Sequence, residues 1–105
     1  MATMINDRNV RDVMAGTDLP VVIDFFATWC GPSKMLAFVV EDLSREFHGR
    51  VLVCRCNVEE SAVLSRRLGV RSVPTLVYIK DGCVMAKTVG ETPKYAIAAK
   101  MKSLL

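Results

Sequence analysis

The segment with the clearest chemical potential is Trp29-Cys30-Gly31-Pro32-Ser33-Lys34, between an apolar run and an amphipathic stretch. Pro32 favours the first turn of a helix, so Cys30 is expected just before the helix begins. A thiol there faces unpaired backbone N–H groups and the positive end of the helix dipole, which stabilise the thiolate. Because the thiolate is the nucleophilic form of cysteine, the segment predicts a reactive thiol. On position alone, a cysteine that only fills a turn is an equally good interpretation.

Two further residues, Asp24 and Pro74, stand at positions where they could contribute to a functional site. Asp24 interrupts the apolar run of residues 21–27. An ionised carboxylate is costly to bury, so Asp24 is expected either to be paired or to keep its proton with a raised pKa. Pro74 follows Val73 at the head of another apolar run, where a proline can begin a strand without losing a ladder hydrogen bond.

The rest of the pattern predicts the elements that position these residues. Strands are predicted at residues 3–5, 21–27, 51–58, 75–79 and 84–89, and helices at 6–16, 32–49, 59–68 and 91–105. The run at 21–27 is apolar on both parities, which is typical of a parallel strand covered on both faces. Asp81-Gly82 predicts a hairpin between the last two strands. The order β-α-β-α-β-α-β-β-α predicts an α/β sandwich with parallel crossovers first and a hairpin last.

Helical spacing also predicts the core. The apolar side chains expected there are Met35, Leu36, Val39, Val40, Leu43 and Phe47 of the second helix and Ile97, Met101 and Leu104 of the last. In the third helix, Glu59 and Glu60 are expected at the start and Arg66 and Arg67 in the last turn, where their charges would complement the helix dipole.

Composition narrows the class of protein. The chain has 105 residues, of which 51% are apolar, and a formal net charge of +3. This length predicts a single domain over residues 1–105. The charges are scattered, so no nucleic-acid surface is expected. No apolar stretch reaches the ~18 residues of a membrane span, so no membrane association is expected. The first residues do not resemble a secretory signal, so we expect a cytoplasmic protein. We also expect a monomer.

Cysteine usage indicates free thiols rather than a disulfide framework. Cys54 and Cys56 fall on one side of a predicted strand, too far apart for a favourable disulfide. With His48 they match no zinc-ligand spacing, so buried inert thiols are expected and no metal is predicted. Cys83 adjoins the hairpin turn, where an exposed thiol could form an intermolecular disulfide on oxidation.

A family resemblance extends over the whole chain. It rests on Asp24-Phe25-Phe26-Ala27-Thr28-Trp29-Cys30-Gly31-Pro32-Ser33-Lys34-Met35, Val73-Pro74-Thr75, Lys80-Asp81-Gly82 and Val89-Gly90. These motifs, in this order and spacing, resemble the thioredoxin family. The resemblance implies the thioredoxin fold, a mixed sheet of about five strands flanked by about four helices. It also implies a thiol-disulfide oxidoreductase that reduces protein disulfides and receives electrons from NADPH through a thioredoxin reductase, with no bound cofactor.

The resemblance also implies roles for individual residues. Cys30 is the attacking thiol, and Asp24 is the buried acid that handles the proton of the resolving thiol. A structural carboxylate near Arg55 is the alternative for Asp24. The expected substrate groove contains Trp29, Gly31, Pro32, Val73, Pro74, Gly90 and Glu91, with Pro74 in the cis form. Trp29 could equally be a packing residue. Phe26 and Phe38 replace a tryptophan and a proline frequent in the family, and we expect neither to affect the chemistry.

Ser33 departs from the family pattern, which has the resolving cysteine at this position. Exchange passes through a mixed disulfide that a second thiol must attack. A serine hydroxyl does not ionise near neutral pH, so exchange is expected to stall. Either a cysteine was replaced deliberately to trap substrates, or the chain is a natural monothiol protein. We favour the first because the surroundings match the dithiol family.

Two other function classes remain open at this point. A monothiol enzyme could exchange with glutathione, although no glutathione site is evident in the sequence. A binding module could use the fold without redox chemistry, but it would not need Trp29-Cys30-Gly31-Pro32 together with Pro74. Because fold alone does not establish function, the thiol site carries the hypothesis of a redox enzyme.

Overall fold

The computed structural model describes all 105 residues and has the predicted order of elements. The strands are β1 (Thr3–Ile5), β2 (Val21–Phe26), β3 (Leu52–Asn57), β4 (Thr75–Lys80) and β5 (Cys83–Val89). The helices are α1 (Val10–Ala15), α2 (Gly31–Glu46), α3 (Ala62–Arg67) and α4 (Lys94–Lys102). The prediction of five strands and four helices is therefore confirmed.

The strands form one mixed sheet in the order β1-β3-β2-β4-β5. β3 pairs in parallel with both β1 and β2, whereas β4 is antiparallel to β2 and β5. β2 is the central strand, and all six of its residues are buried. This explains its apolar character on both parities, because side chains on both faces of a covered strand must leave water.

Two hydrophobic clusters cover the two faces of the sheet. One joins α2 and α4 to the sheet through residues such as Leu43, Tyr78 and Met101. The other contains Phe25, Cys54, Cys56 and Leu64, with α1 and α3 packed against the opposite face. Along β2, β3 and β4, buried apolar residues at successive positions enter opposite clusters, as the two-residue period of a strand requires.

Three predicted helix starts are wrong. α1 begins at Val10 rather than Asn6, because Asn6 Oδ1 accepts hydrogen bonds from the backbone N–H groups of Arg8 and Asn9 and holds residues 6–9 in a turn. α4 begins at Lys94 rather than Glu91, because Pro93 adopts an extended conformation at the N-cap. α3 begins at Ala62, so Glu59 and Glu60 precede the helix and its first turn contains no acid. The carboxylate of Asp7 accepts hydrogen bonds there instead, from the backbone N–H groups of Val63 and Leu64 at 3.2 and 2.9 Å.

The methionine prediction is half correct. Met101 is 1% exposed and lies in the core, whereas Met35 is 66% exposed on α2. Helical spacing alone could not separate them, because Met35 lies at the edge of the apolar stripe, on the side that faces away from the sheet. No helix of the fold combines the length and apolar character needed to cross a membrane.

Candidate active site

The sheet topology explains why residues distant in sequence form one site. β2 and β4 are antiparallel, so the end of β2 lies beside the start of β4, with Phe25 opposite Thr75. The loop that leads from β2 into α2 therefore meets the segment that precedes β4. Val89, at the end of β5, also pairs with Thr75. Three chain segments converge at this edge of the sheet.

Cys30 occupies the N-cap of α2, as the position of Pro32 predicted. Its backbone carbonyl accepts the hydrogen bond from Lys34 N–H at 3.1 Å, which starts the helix. The thiol is 8% exposed, and its Sγ lies 3.8 Å from the carbonyl oxygen of Val73, to which it donates a hydrogen bond. The Cys30 thiol and the residue before Pro74 are therefore in direct contact.

Ser33 lies one turn into α2, on the side of the helix that faces the protein interior. Its side chain is fully buried, and its Oγ has no hydrogen-bond partner. A buried hydroxyl without a partner is unfavourable, because it has lost its hydrogen bonds to water. A less polar group of similar shape, such as a thiol, would fit the same space at a smaller desolvation cost.

Asp24 lies at the centre of the sheet and is fully buried. It is opposite Arg55 in the parallel β2–β3 pairing, and Arg55 Nε donates a hydrogen bond to Asp24 Oδ2 at 3.0 Å. Burial raises the pKa of Asp24, whereas the hydrogen bond and positive charge of Arg55 lower it and Glu41 raises it slightly. The second oxygen, Oδ1, has no partner, so the ion pair leaves the carboxyl only partly satisfied.

Phe26 packs against the cation of this ion pair. The guanidinium carbon of Arg55 lies 3.9 Å from the centroid of the Phe26 ring. A cation over an aromatic face is attracted by the ring quadrupole and held in one orientation. The sequence analysis named Arg55 as a possible neighbour of Asp24, whereas the stacking of Arg55 on Phe26 could be recognised only from the structure.

The predicted groove residues surround Cys30 and differ in exposure. Trp29 is 70% exposed, which favours a surface role over packing. Gly31, Pro32 and Glu91 are also exposed, Val73 and Gly90 are half-buried, and Pro74 is buried. The open surface beside the thiol is consistent with contact by a second molecule.

The backbone of the groove is fixed by local conformation. The Val73–Pro74 peptide bond is cis, and the Gly90 N–H donates a hydrogen bond to the Pro74 carbonyl at 2.8 Å. Gly90 has a φ of +80°, a conformation that other residues rarely adopt. A Cβ added to Gly31 would meet no atom within 4 Å, so the space next to Cys30 is open.

The other three cysteines are free thiols that differ in burial. Cys54 and Cys56 are buried free thiols and Cys83 is an exposed one, as predicted. Burial raises the pKa of Cys54 to about 12, which makes it a poor nucleophile at neutral pH. A cavity of about 900 Å³ lies between α1 and α3 on one face of the sheet, and none of the predicted site residues lines it.

The fold and the site together define a class of protein: an α/β domain with a free cysteine at a helix N-terminus, in contact with the residue that precedes a cis-proline. A comparison with known protein families supports this class. The model of the family described as Thioredoxin matches residues 2–103. The chain belongs to the thioredoxin family of redox proteins.

Individual relatives agree with this assignment. The chain is 44% identical over 94 residues to a thioredoxin of Haemophilus influenzae, covering 90% of this chain and 88% of the relative. It is 35% identical over 101 residues to a thioredoxin of Synechocystis, covering 96% and 94%. Among solved structures, chloroplastic thioredoxin z is similar with a TM-score of 0.85 and 33% identity, covering 98% of this chain and 93% of that one. The thioredoxin fold expected from the sequence is thus confirmed.

Proposed function

We propose that this protein captures disulfide-containing proteins by thiol-disulfide exchange through Cys30 and stalls at the mixed disulfide because Ser33 replaces the resolving cysteine. The observation that carries the proposal is the arrangement of the two residues on α2. Cys30 is 8% exposed beside the surface left open at Gly31, whereas Ser33 lies one turn further, fully buried and without a hydrogen-bond partner. This geometry supports attack by one thiol and provides no second thiol to release the product.

The exchange step balances without a further reactant. The Cys30 thiolate attacks one sulfur of a substrate disulfide, a new S–S bond forms between them, and the other substrate sulfur leaves as a thiolate. Release then needs a second thiolate to attack the Cys30 sulfur. The Ser33 hydroxyl remains protonated near neutral pH and cannot perform this attack, so the covalent complex accumulates.

In a form with cysteine at position 33, we propose that Asp24 would accept the proton of that thiol. Its burial and raised pKa support this role, because a carboxylate with a raised pKa is a better proton acceptor than an ordinary aspartate. Such a form would be reduced by a thioredoxin reductase that draws on NADPH, with no cofactor bound to this chain.

The test compares the chain with Ser33→Cys in the reduction of insulin disulfides by NADPH and a thioredoxin reductase. Ser33→Cys is expected to turn over, while the chain itself forms at most one mixed disulfide per molecule. Cys30→Ser in both backgrounds is the matched control and should abolish capture. Continuous turnover by the unmodified chain would refute the role given to Ser33. Inactivity of Ser33→Cys would refute the proposal of a disabled dithiol enzyme.

A second candidate function is a monothiol exchange in which a small thiol such as glutathione releases the captured protein. The observation in its favour is the exposed surface beside Cys30, which leaves the mixed disulfide accessible to an external thiol. Mixed disulfides prepared with the chain and treated with glutathione distinguish the two. Rapid release at millimolar glutathione would favour the monothiol enzyme, and persistence of the complex would favour the trapping form. An otherwise complete dithiol site supports the view that a cysteine was replaced at position 33.

A further inference from the structure

An exposed apolar patch, here called the α2 patch, lies beside the active site and is formed by Met35 and Phe38. Met35 is 66% exposed and Phe38 is 71% exposed. Phe38 stands at a position where the thioredoxin family frequently has proline. The two residues are three apart on α2, so their side chains are neighbours on the helix surface. Large apolar side chains that share an exposed patch often mark an interaction site.

A groove adjoins the α2 patch at Met35, while Phe38 lies outside it. It has a volume of about 470 Å³ and is lined by Pro32, Met35, Leu36 and Val39 of α2 and by Glu91, Thr92 and Pro93 of the facing segment. Pro32 follows Cys30 by two residues, and Glu91 follows Gly90, which donates to the Pro74 carbonyl. The groove therefore continues from the surface that any molecule bonded to Cys30 must cover.

The distances along the helix define what can reach the patch. At 1.5 Å per residue, Met35 and Phe38 lie about 7.5 and about 12 Å along the axis from Cys30. An extended peptide advances about 3.3 Å per residue, so a side chain two to four residues from the bonded cysteine spans this distance. The patch is within reach of a polypeptide substrate but beyond a small disulfide such as oxidised glutathione.

We propose that the α2 patch selects protein substrates that carry a large apolar side chain two to four residues from the cysteine attacked by Cys30. This inference rests on the proposed function, since it assumes capture at Cys30. Burial of the apolar side chain against Met35 and Phe38 would stabilise the complex before and after the exchange. Met35 and Phe38 thus act as specificity-determining residues and do not touch the reacting sulfurs.

The test measures how fast the protein captures peptides that contain one cysteine. Each peptide cysteine is joined to 2-nitro-5-thiobenzoate by a disulfide bond. Attack by Cys30 bonds the peptide to the protein and releases the coloured thiolate. One peptide set has phenylalanine three residues before or after the cysteine, and a matched set has serine there. All variants carry Cys83→Ser, because that exposed thiol would also react.

For the unmodified patch, we expect the better phenylalanine peptide to react about tenfold faster than its serine counterpart, as partial burial of an aromatic side chain would give. Met35→Ser combined with Phe38→Ser should reduce this ratio to near one. Val63→Ser is the matched control, since Val63 is 54% exposed on α3 at the opposite face, and it should leave the ratio unchanged.

The rate with a small symmetrical aromatic disulfide separates the two proposals. It should be the same in all variants, because such a reagent does not reach the patch. A ratio near one in the unmodified protein, or one that survives the double substitution, would overturn the patch proposal while capture itself persists. Failure of Cys30 to react with any disulfide would refute the proposed function and this inference with it.

Discussion

Folding stability is expected to decrease as the buried carboxyl of Asp24 ionises. Burial raises its pKa above the ordinary value of 3.8, in spite of the hydrogen bond and positive charge of Arg55. In the unfolded chain the same carboxyl is hydrated and titrates normally. Between the ordinary and the raised pKa, the folded state therefore holds a proton that the unfolded state has lost. The free energy of unfolding must fall with increasing pH across this window.

The size of this pH dependence is set by the single proton that Asp24 binds. A difference of one bound proton changes the free energy of unfolding by at most about 1.4 kcal/mol per pH unit. The stability carried by protonated Asp24 is complete below pH 3.8 and is lost once the pH exceeds the raised pKa of the folded state. Asp24→Asn has no such proton. Relative to the parent, its stability should increase with pH through the window and then become constant.

The assay is denaturant unfolding of both proteins at a series of pH values with reductant present. Ser33 simplifies the measurement, because the site cannot form an internal disulfide. The difference between the two free energies of unfolding isolates Asp24 from other carboxyl groups. A pH-independent difference would show that Arg55 cancels the effect of burial, and one that decreases with pH would show that Arg55 outweighs it; either result would refute this reasoning.

The remaining predictions concern the groups around the site and the core. Arg55→Met removes the cation that lowers the pKa of the buried carboxyl, so the loss of stability should extend to higher pH in the same unfolding series, and a shift to lower pH would contradict this. Thr88→Val leaves the buried Tyr78 hydroxyl without its 3.1 Å partner and should cost about 1–3 kcal/mol, whereas Tyr78→Phe should cost about 0.5–1.5 kcal/mol; urea midpoints of the two variants and their combination test this order. Iodoacetamide on the native protein should label Cys83 and leave Cys54 unlabelled until denaturant is added, and mass spectrometry of native protein modified at Cys54 would contradict the burial argument.

Much of the fold could be predicted because its signals are local. Apolar periodicity, Pro32 near the start of α2 and Asp81-Gly82 at the hairpin each depend on neighbouring residues. These signals gave the element order and the N-cap position of Cys30. They failed at α3, where the acids before the helix suggested an early start. The group that satisfies the first turn is Asp7, 57 residues from Leu64, and no local pattern could reveal it.

In the candidate site, too, some features could be predicted from the sequence and others could not. The types and spacing of Cys30 and Ser33 determined the chemistry available to the chain, because nucleophilicity and its absence are properties of the side chains themselves. The tertiary structure decided which groups surround them. Cys30 meets Val73 across 43 positions of sequence, and Asp24 meets Arg55 across 31, both through strand pairing. The exposure of Met35 was also decided there, since the packing of α2 on the sheet determines which edge of an apolar stripe remains in water.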